Sequence, residues 1–291
     1  MSRRIAHIVN PVEVPETSDL FIAQPITFET MRLARDRAEG KVDVKLLAVA
    51  YPEDRAIMPD SFEACPPLRR SVQDFGEFTL KRKLPVLAEI LEAAYRAAHD
   101  ADYLIYTNVD IALKPDFYLE VDKIIGRGFD AFVINRRTIP DSYSSVEQLP
   151  AMFGEDGEPH PGHDCFVFKR DAFPEYDLGN TCIGIAGVGR VLILNLACHS
   201  ERFREFKDLQ LTFHIGNDQI WKNPKLADYA QFGKRQFDLT VERLSERFGR
   251  LQKHRFAAAY SSFSNKRGLK QRLRAALLKR LRKFTALLAP S

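Results

Sequence analysis

At 291 residues and a formal net charge of +4, with 45% hydrophobic and 28% charged residues and 15 glycines, the chain has an ordinary globular composition. That excludes a disordered, collagen-like or disulfide-scaffold protein and suits one large domain with appendages. The charge is unevenly placed, because nine of the 43 basic residues fall in 266–291, which hold no acid; the rest of the chain carries 34 bases against 39 acids, about −5. Cys65, Cys165, Cys182 and Cys198 are widely spaced without a C-x-x-C, which argues against a zinc knuckle or a thioredoxin-like motif and for reduced thiols in a cytoplasmic protein. The apolar run from Ile5 to Val9 is too short for a signal peptide. Nothing in the chain approaches the roughly 18 consecutive apolar residues of a spanning helix.

In chain order, Ile5 to Val9 predicts a buried strand stopped by Asn10-Pro11, Pro25 to Ala38 a helix, and Val42 to Tyr51 a second strand. A β-α-β unit in the first fifty residues points to a parallel sheet covered by helices. Residues 52–80, with Pro59, Pro66 and Pro67, read as a mobile loop. Pro85 suits the first turn of a helix carried by Leu87, Ile90, Leu91 and Ala94. Tyr103 to Thr107 predicts a buried strand, followed by Asn108-Val109-Asp110; a helix over about 116–126 and a strand over 131–135 continue the alternation. A polar stretch, 142–161, precedes a strand at Cys165 to Phe168. Val191 to Cys198 fits a buried helix or a strand, and Leu211 to His214 is a further short apolar run. The body is expected to end near Tyr260, with 261–265 as a linker.

Three groups of residues carry the chemistry. Asn108-x-Asp110 places a carboxylate at the exit of a central strand, where ligands of open α/β sheets bind. The chain has neither a G-x-x-x-x-G-K-[ST] nor a G-x-G-x-x-G loop, so a phosphate there would be handled through Mg²⁺ or Mn²⁺ on hard oxygen ligands. Ordinary turn and helix-capping chemistry ahead of Asp116 explains the same residues. Asp164, just before a strand and beside His163, fits a general base aimed at an acceptor hydroxyl, or a common loop aspartate. His214, ending an apolar run, fits a metal ligand that completes a site begun by Asp110, or a hydrogen-bonded core histidine.

Taken together, the N-terminal β-α-β, Tyr103-Leu-Ile-Tyr-Thr-Asn-Val-Asp-Ile111, His163-Asp164 and Leu-Thr-Phe-His214 resemble, over residues 3–235, the GT-A class of glycosyltransferases. The resemblance implies a Rossmann-like α/β sandwich with a mostly parallel sheet that binds a nucleotide-diphospho-sugar. It implies a divalent cation (Mn²⁺ or Mg²⁺) and the diphosphate at Asn108 and Asp110, His214 as a further metal ligand, and Asp164 as catalytic base assisted by His163. The usual first motif residue is Asp, so Asn108 removes one negative charge from the site. Lys81 and Lys83, in a basic triplet before a helix, are expected to contact phosphate or to form a solvated charge run. Asn10 and Gln24, near the exit of the first strand, are expected to contact the nucleoside.

In 266–291, Leu269, Leu273, Ala276, Leu277, Leu281, Phe284, Leu287 and Leu288 fall on one helical face among lysines and arginines. That is the pattern of a basic amphipathic helix lying on an anionic membrane surface, although packing on the body or on another copy fits the same leucines. Nucleic acid is not expected as a partner, given the acidic body and the lack of interleaved aromatics. The resulting expectation is a transferase at residues 1–260, peripherally attached to the cytoplasmic membrane face and glycosylating a glycan or lipid-linked acceptor. Two alternatives remain: a sugar nucleotidyltransferase, although Asn10 to Pro15 contains no glycine, and a non-catalytic carbohydrate- or partner-binding protein on the same fold.

Overall fold

A computed structural model of the chain describes residues 2–160, 162–217 and 224–249. The predicted linker at 261–265 and the basic helix at 266–291 lie outside the described residues.

The first strand, β1 (Arg3–Val9), leads into α1 (Asp19–Ala38), and β2 (Val42–Ala48) returns beside β1 in parallel register, pairing Ile5 with Val44 and Ile8 with Leu47. The helix begins six residues before Pro25. The Ser18 hydroxyl caps it by accepting the Leu20 N–H at 3.3 Å, and Pro25 sits inside. Residues 52–80 do not form a loose loop. They fold into two short 3₁₀ helices, Pro52–Ile57 and Val72–Phe75, around a two-residue strand, β3 (Glu63–Ala64), and they bury Phe62, Cys65, Leu68 and Val72. Burying these four side chains anchors a segment whose prolines rule out longer regular elements.

Helix α2 (Leu87–Ala97) starts two residues after Pro85, which instead bridges to Ser71. The central strand β4 (Tyr103–Thr107) is wholly buried, and the tiny β5 (Ala112–Leu113) follows it. Then come α3 (Phe117–Gly126), β6 (Ala131–Ile134), β7 (Arg137–Ile139), α4 (Leu149–Gly154), β8 (Glu158–Pro159) and β9 (Cys165–Lys169). The polar stretch before β9 thus holds a short helix and a strand. Val191 to Cys198 resolves as α5 (Val188–Cys198), and β10 (Phe203–Phe206), β11 (Thr212–Ile215) and α6 (Ala227–Phe248) complete the described chain.

The main sheet has seven strands in the order β10-β6-β9-β4-β1-β2-β3. Every neighbour pair is parallel except those of β9, which runs antiparallel to both β4 and β6. Alternate side chains leave the two faces of the sheet. Ile8, Leu104, Val133 and Phe168 pack under α2, α5 and α6, whereas Ile5, Ile105, Phe132 and Val167 pack under α1 and α3. This is an α/β/α sandwich with a mostly parallel sheet. A second sheet, β5-β11-β7-β8, sits beside it, with β11 antiparallel to β5 and parallel to β7. All four cysteines are buried and free.

Phe168 is fully buried on β9, opposite Leu104 and Ala131. Phe168→Ala is expected to cost about 3–5 kcal/mol of unfolding free energy, read by urea denaturation. A loss below about 1 kcal/mol would contradict the placement of β9 at the centre of the core.

Candidate functional site

Because β9 runs backwards, its first residue pairs with the last of its neighbours: Cys165 lies opposite Thr107 of β4 and Ile134 of β6. The residues leaving β4 and β6 therefore meet the residue entering β9 at the carboxyl edge of the sheet. These residues are Asn108 and Asp110 after β4, Asn135 and Arg136 after β6, and His163 and Asp164 before β9. The second sheet adds His214. Strand β11 pairs Phe213 with Ala112, two residues past Asp110, and sets the His214 Nε2 at 3.2 Å from the Asp110 Oδ2.

The Asp110–His214 contact is chemically constrained. The Nδ1 of His214 lies 2.9 Å from the Gly216 carbonyl oxygen, which only accepts, so Nδ1 carries the hydrogen. Gly216 has φ +69°, a left-handed conformation that suits glycine and that folds its carbonyl back to the ring. A neutral ring thus presents a bare Nε2 lone pair to a carboxylate oxygen, and two acceptors at that distance need a proton or a metal ion between them. The same Nδ1-to-carbonyl bond orients metal-ligating histidines.

Without a metal ion, the proton is held by the pair. Burial pushes His214 down, but the hydrogen bond and charge of Asp110 prevail and raise it above its ordinary 6.5. Burial pushes Asp110 up, yet the hydrogen bond and charge of His214, helped by Arg136, leave it below its ordinary 3.8.

Asp164 is 9% exposed and burial raises its affinity for a proton, opposed by Arg136. The Nε of Arg136 stands 3.6 Å from the Asp164 Oδ2, and its Nη2 is 3.4 Å from the Nε2 of His160. Desolvation, reinforced by the Arg136 charge, pushes His160 down to about 4, so it is neutral near pH 7. His163 does not assist Asp164 through a direct bond; its Nε2 meets the Glu205 Oε1 at 3.0 Å, and the Asn135 amide donates to the same oxygen at 3.2 Å. Among the described residues, four buried polar atoms of this cluster have no hydrogen-bond partner: the Asp110 Oδ1, the Asn135 Oδ1, the Arg136 Nε and the Asp164 Oδ2. Buried polar groups are normally satisfied, so four without a described partner at a single sheet edge make this cluster the candidate site.

Asn108 opens the turn, its carbonyl bonded by the Ile111 N–H at 3.2 Å and its side-chain oxygen 3.5 Å from the Tyr106 hydroxyl. The turn chemistry is therefore real, and it serves to aim Asp110 at His214. Asn10 and Gln24 are buried and engaged with the backbone: Asn10 donates to the Val49 carbonyl, and the Gln24 amide bonds both the N–H and the C=O of Val12. Lys83 pairs with Glu53 and lies 3.8 Å over the Tyr51 ring, while Lys81 is exposed. Among the described residues, no hydrogen bond or ion pair joins either lysine to the Asp110 cluster. Arg136, Asn135, His160 and Glu205 are functional candidates that the sequence did not single out. The alternation of strands and helices placed β6 correctly, and the two polar residues after it were the available signal.

Among the described residues, no group of three or more His, Cys, Asp and Glu side chains could hold a metal ion. Asp110 and His214 are two donors, and a hard divalent cation there would take its remaining ligands from water and substrate phosphates, its usual arrangement. The donor chemistry, the unpartnered Asp110 Oδ1 and the orienting Gly216 carbonyl all fit such an ion.

No protein-family model matches the chain. No curated protein matches it. Among solved structures, it is similar to S. aureus TarS in complex with UDP-GlcNAc, at 8% identity and a TM-score of 0.49, over 86% of this chain and 73% of that one. It is also similar to 4-diphosphocytidyl-2C-methyl-D-erythritol synthase from Anaerococcus prevotii DSM 20548, at 10% identity and a TM-score of 0.38, over 80% and 99% of the two chains. A third similar structure is a manganese complex of Rv0371c from Mycobacterium tuberculosis H37Rv, at 16% identity and a TM-score of 0.38, over 82% and 100%. At such identities the likeness concerns chain trace.

The titration of the pair has a definite sign. A raised His214 contributes stability that is complete below its unfolded value and is lost as pH rises through the folded one; a depressed Asp110 contributes above its unfolded value and loses it as pH falls through the folded one. In buffer free of divalent ions, the stability of the wild type over His214→Gln is expected to be largest between about pH 4 and 6.5 and to shrink above that, measured by urea denaturation. A difference that grows toward pH 9 would contradict the proton-sharing pair.

Proposed function

We propose that the chain is a glycosyltransferase that moves a sugar from a nucleotide-diphosphate donor to a hydroxyl of a glycan or lipid-linked acceptor. The observation that supports this reading is the meeting of Asp110, His214, Asn135, Arg136 and Asp164 at one sheet edge, with four of their buried polar atoms lacking a hydrogen-bond partner among the described residues. Such an edge is where α/β sheets bind nucleotides, and its two carboxylates divide into distinct roles. Asp110 is held ionised beside His214, as an acid that binds a cation must be. Asp164 is just as desolvated but has chiefly the Arg136 charge at 3.6 Å against that burial and, among the described residues, no hydrogen bond like that of His214, so it accepts a proton more readily.

Transfer passes through an oxocarbenium-like state while negative charge builds on the departing diphosphate. Asp110 and His214 would hold the divalent cation, whose chemistry is to neutralise that charge. In an inverting reaction, the Asp164 Oδ2 takes the proton of the acceptor hydroxyl as that oxygen attacks the anomeric carbon. The buried surroundings of the two aspartates exclude water from a reaction that competes with hydrolysis.

Nucleotide binding and chemistry are separable tests. A nucleoside diphosphate with Mn²⁺ is expected to raise the melting temperature of the wild type but not of Asp110→Ala. Asp164→Asn should keep the nucleotide response and lose about 10²–10⁴-fold in kcat. No response to UDP, GDP or CMP, with or without Mn²⁺, contradicts the reading and favours a binding protein. Release of pyrophosphate instead of a nucleoside diphosphate makes the protein a nucleotidyltransferase.

The basic helix read in 266–291 would bring the enzyme to an anionic cytoplasmic membrane surface, each base near such a surface adding about 1 kcal/mol. No helix among the described residues is long and apolar enough to cross a membrane. Deleting 266–291 is expected to abolish sedimentation with vesicles of mixed anionic and neutral phospholipid while preserving transfer to a soluble acceptor. Unchanged sedimentation would contradict the anchor.

A further inference from the structure

The feature of the site that the proposed reaction leaves unexplained is a buried arginine. Arg136 is 7% exposed, and its guanidinium ends among groups that do not hydrogen-bond its Nε. Burying an arginine is tolerated when an anion balances it, and among the described residues the carboxylate within ion-pair distance is that of Asp164. The separation is 3.6 Å, with side-chain exposures of 8% and 12%, which supplies charge compensation but is too long for a hydrogen bond. Among the described residues, the Asp164 Oδ2 therefore has a cation beside it and no hydrogen-bond partner. A general base needs both: it must stay ionised in a dry pocket, and it must not already be bonded where the proton is to arrive.

The fold maintains this spacing. Arg136 is the second residue beyond β6 and Asp164 the last before β9, and the Ile134–Cys165 pairing fixes the two chain segments relative to each other. The backbone N–H of His160 donates to the Arg136 carbonyl at 3.3 Å and ties the loop before β9 to the residues after β6; the His160 Nδ1 accepts the Gly162 N–H at 2.9 Å and stands 3.9 Å from the Asp164 Oδ2 without bonding it.

We infer that Arg136 is the positioning residue of the site, holding Asp164 ionised across a gap that leaves its Oδ2 open to the hydroxyl of the acceptor. The inference rests on the reading of Asp164 as the base. The charged and titratable groups that bear on Asp164 are Arg136 after β6, His160 and its neighbour His163 before β9, Asp110 after β4 and His214 on β11. Arg136 is the largest of the opposing charges, so its removal must raise the proton affinity of Asp164.

The test is a carbon-13 carboxylate titration by NMR of aspartate-labelled protein, with the Asp164 signal assigned by its loss in Asp164→Asn. Arg136→Gln is expected to raise the Asp164 midpoint by about one pH unit or more, a tenfold or greater change in proton affinity, and Arg136→Lys to hold it within about half a unit. In turnover, the acid limb of kcat should move with that midpoint in Arg136→Gln while the dissociation constant for the nucleoside diphosphate stays unchanged. A midpoint that rises by less than about one unit overturns the inference, as does a nucleotide affinity that falls about tenfold, which would make Arg136 a substrate contact. Should Arg136→Gln not fold, the wild type decides at about pH 7: the carbon-13 shift of an ionised Asp164 carboxylate supports the inference and that of a protonated one overturns it. The titration uses no substrate. A wild-type protein that transfers no sugar would thus sink the proposed function while the titration still decides the role of Arg136.

Discussion

Strand β9 runs against its two neighbours, and that reversal determines what the edge of the sheet contains. In a wholly parallel sheet, the carboxyl edge collects only residues that follow strands. Here the segment preceding β9 arrives at the same edge, pinned by the pairing of Cys165 with both Thr107 and Ile134. Asp164 is thereby delivered between the residues that leave β4 and those that leave β6. The second sheet extends the same logic: β5 is short, so β11 pairs close to the turn at Asp110 and brings His214 from over a hundred residues away to within 3.2 Å.

The charges brought together this way are expensive to bury and are arranged in compensating pairs. Asp110 stands with His214, and Asp164 with Arg136. The pairs differ in kind. The first is close enough that a proton or a cation must lie between its atoms. The second is held apart, so it balances charge without using hydrogen-bonding capacity. A buried polar cluster left partly unsatisfied destabilises the protein that carries it, and such a cluster persists where a ligand completes it. The difference in spacing is what allows two aspartates at one sheet edge to differ in proton affinity, one depressed and one raised.

Much of this was legible in the sequence. The β-α-β opening, the buried strand before Asn108 and the strand after Asp164 follow from hydrophobic runs and their punctuation, because burial on both faces leaves a continuous apolar signature. Asp110, Asp164 and His214 stand out in the sequence by their places at strand ends, and the fold brings them to the same sheet edge. The start of α1 was missed because Pro25 resembles a helix start, whereas the decisive signal was the weaker Ser18 cap. The order in 52–80 was missed because isolated apolar residues such as Leu68 and Val72 show no period. Arg136 and Glu205 were missed for a different reason. Strand direction is not written in a hydrophobic run, and only the antiparallel placement of β9 puts Arg136 beside Asp164. Asn10 and Gln24 show why a polar residue near a strand exit is an ambiguous signal, since both bond the backbone here.

The central claim is that the space between Asp110 and His214 is the cation-binding heart of a nucleotide-sugar site. Anomalous diffraction at the manganese edge, from crystals of the full chain grown with Mn²⁺ and a nucleoside diphosphate, tests it most directly. The account predicts an anomalous peak bonded to the Asp110 Oδ2, to the His214 Nε2 and to phosphate oxygens of the nucleotide. A nucleotide bound elsewhere, or a hydrogen bond still closed between Asp110 and His214 with no peak beside it, would contradict the account.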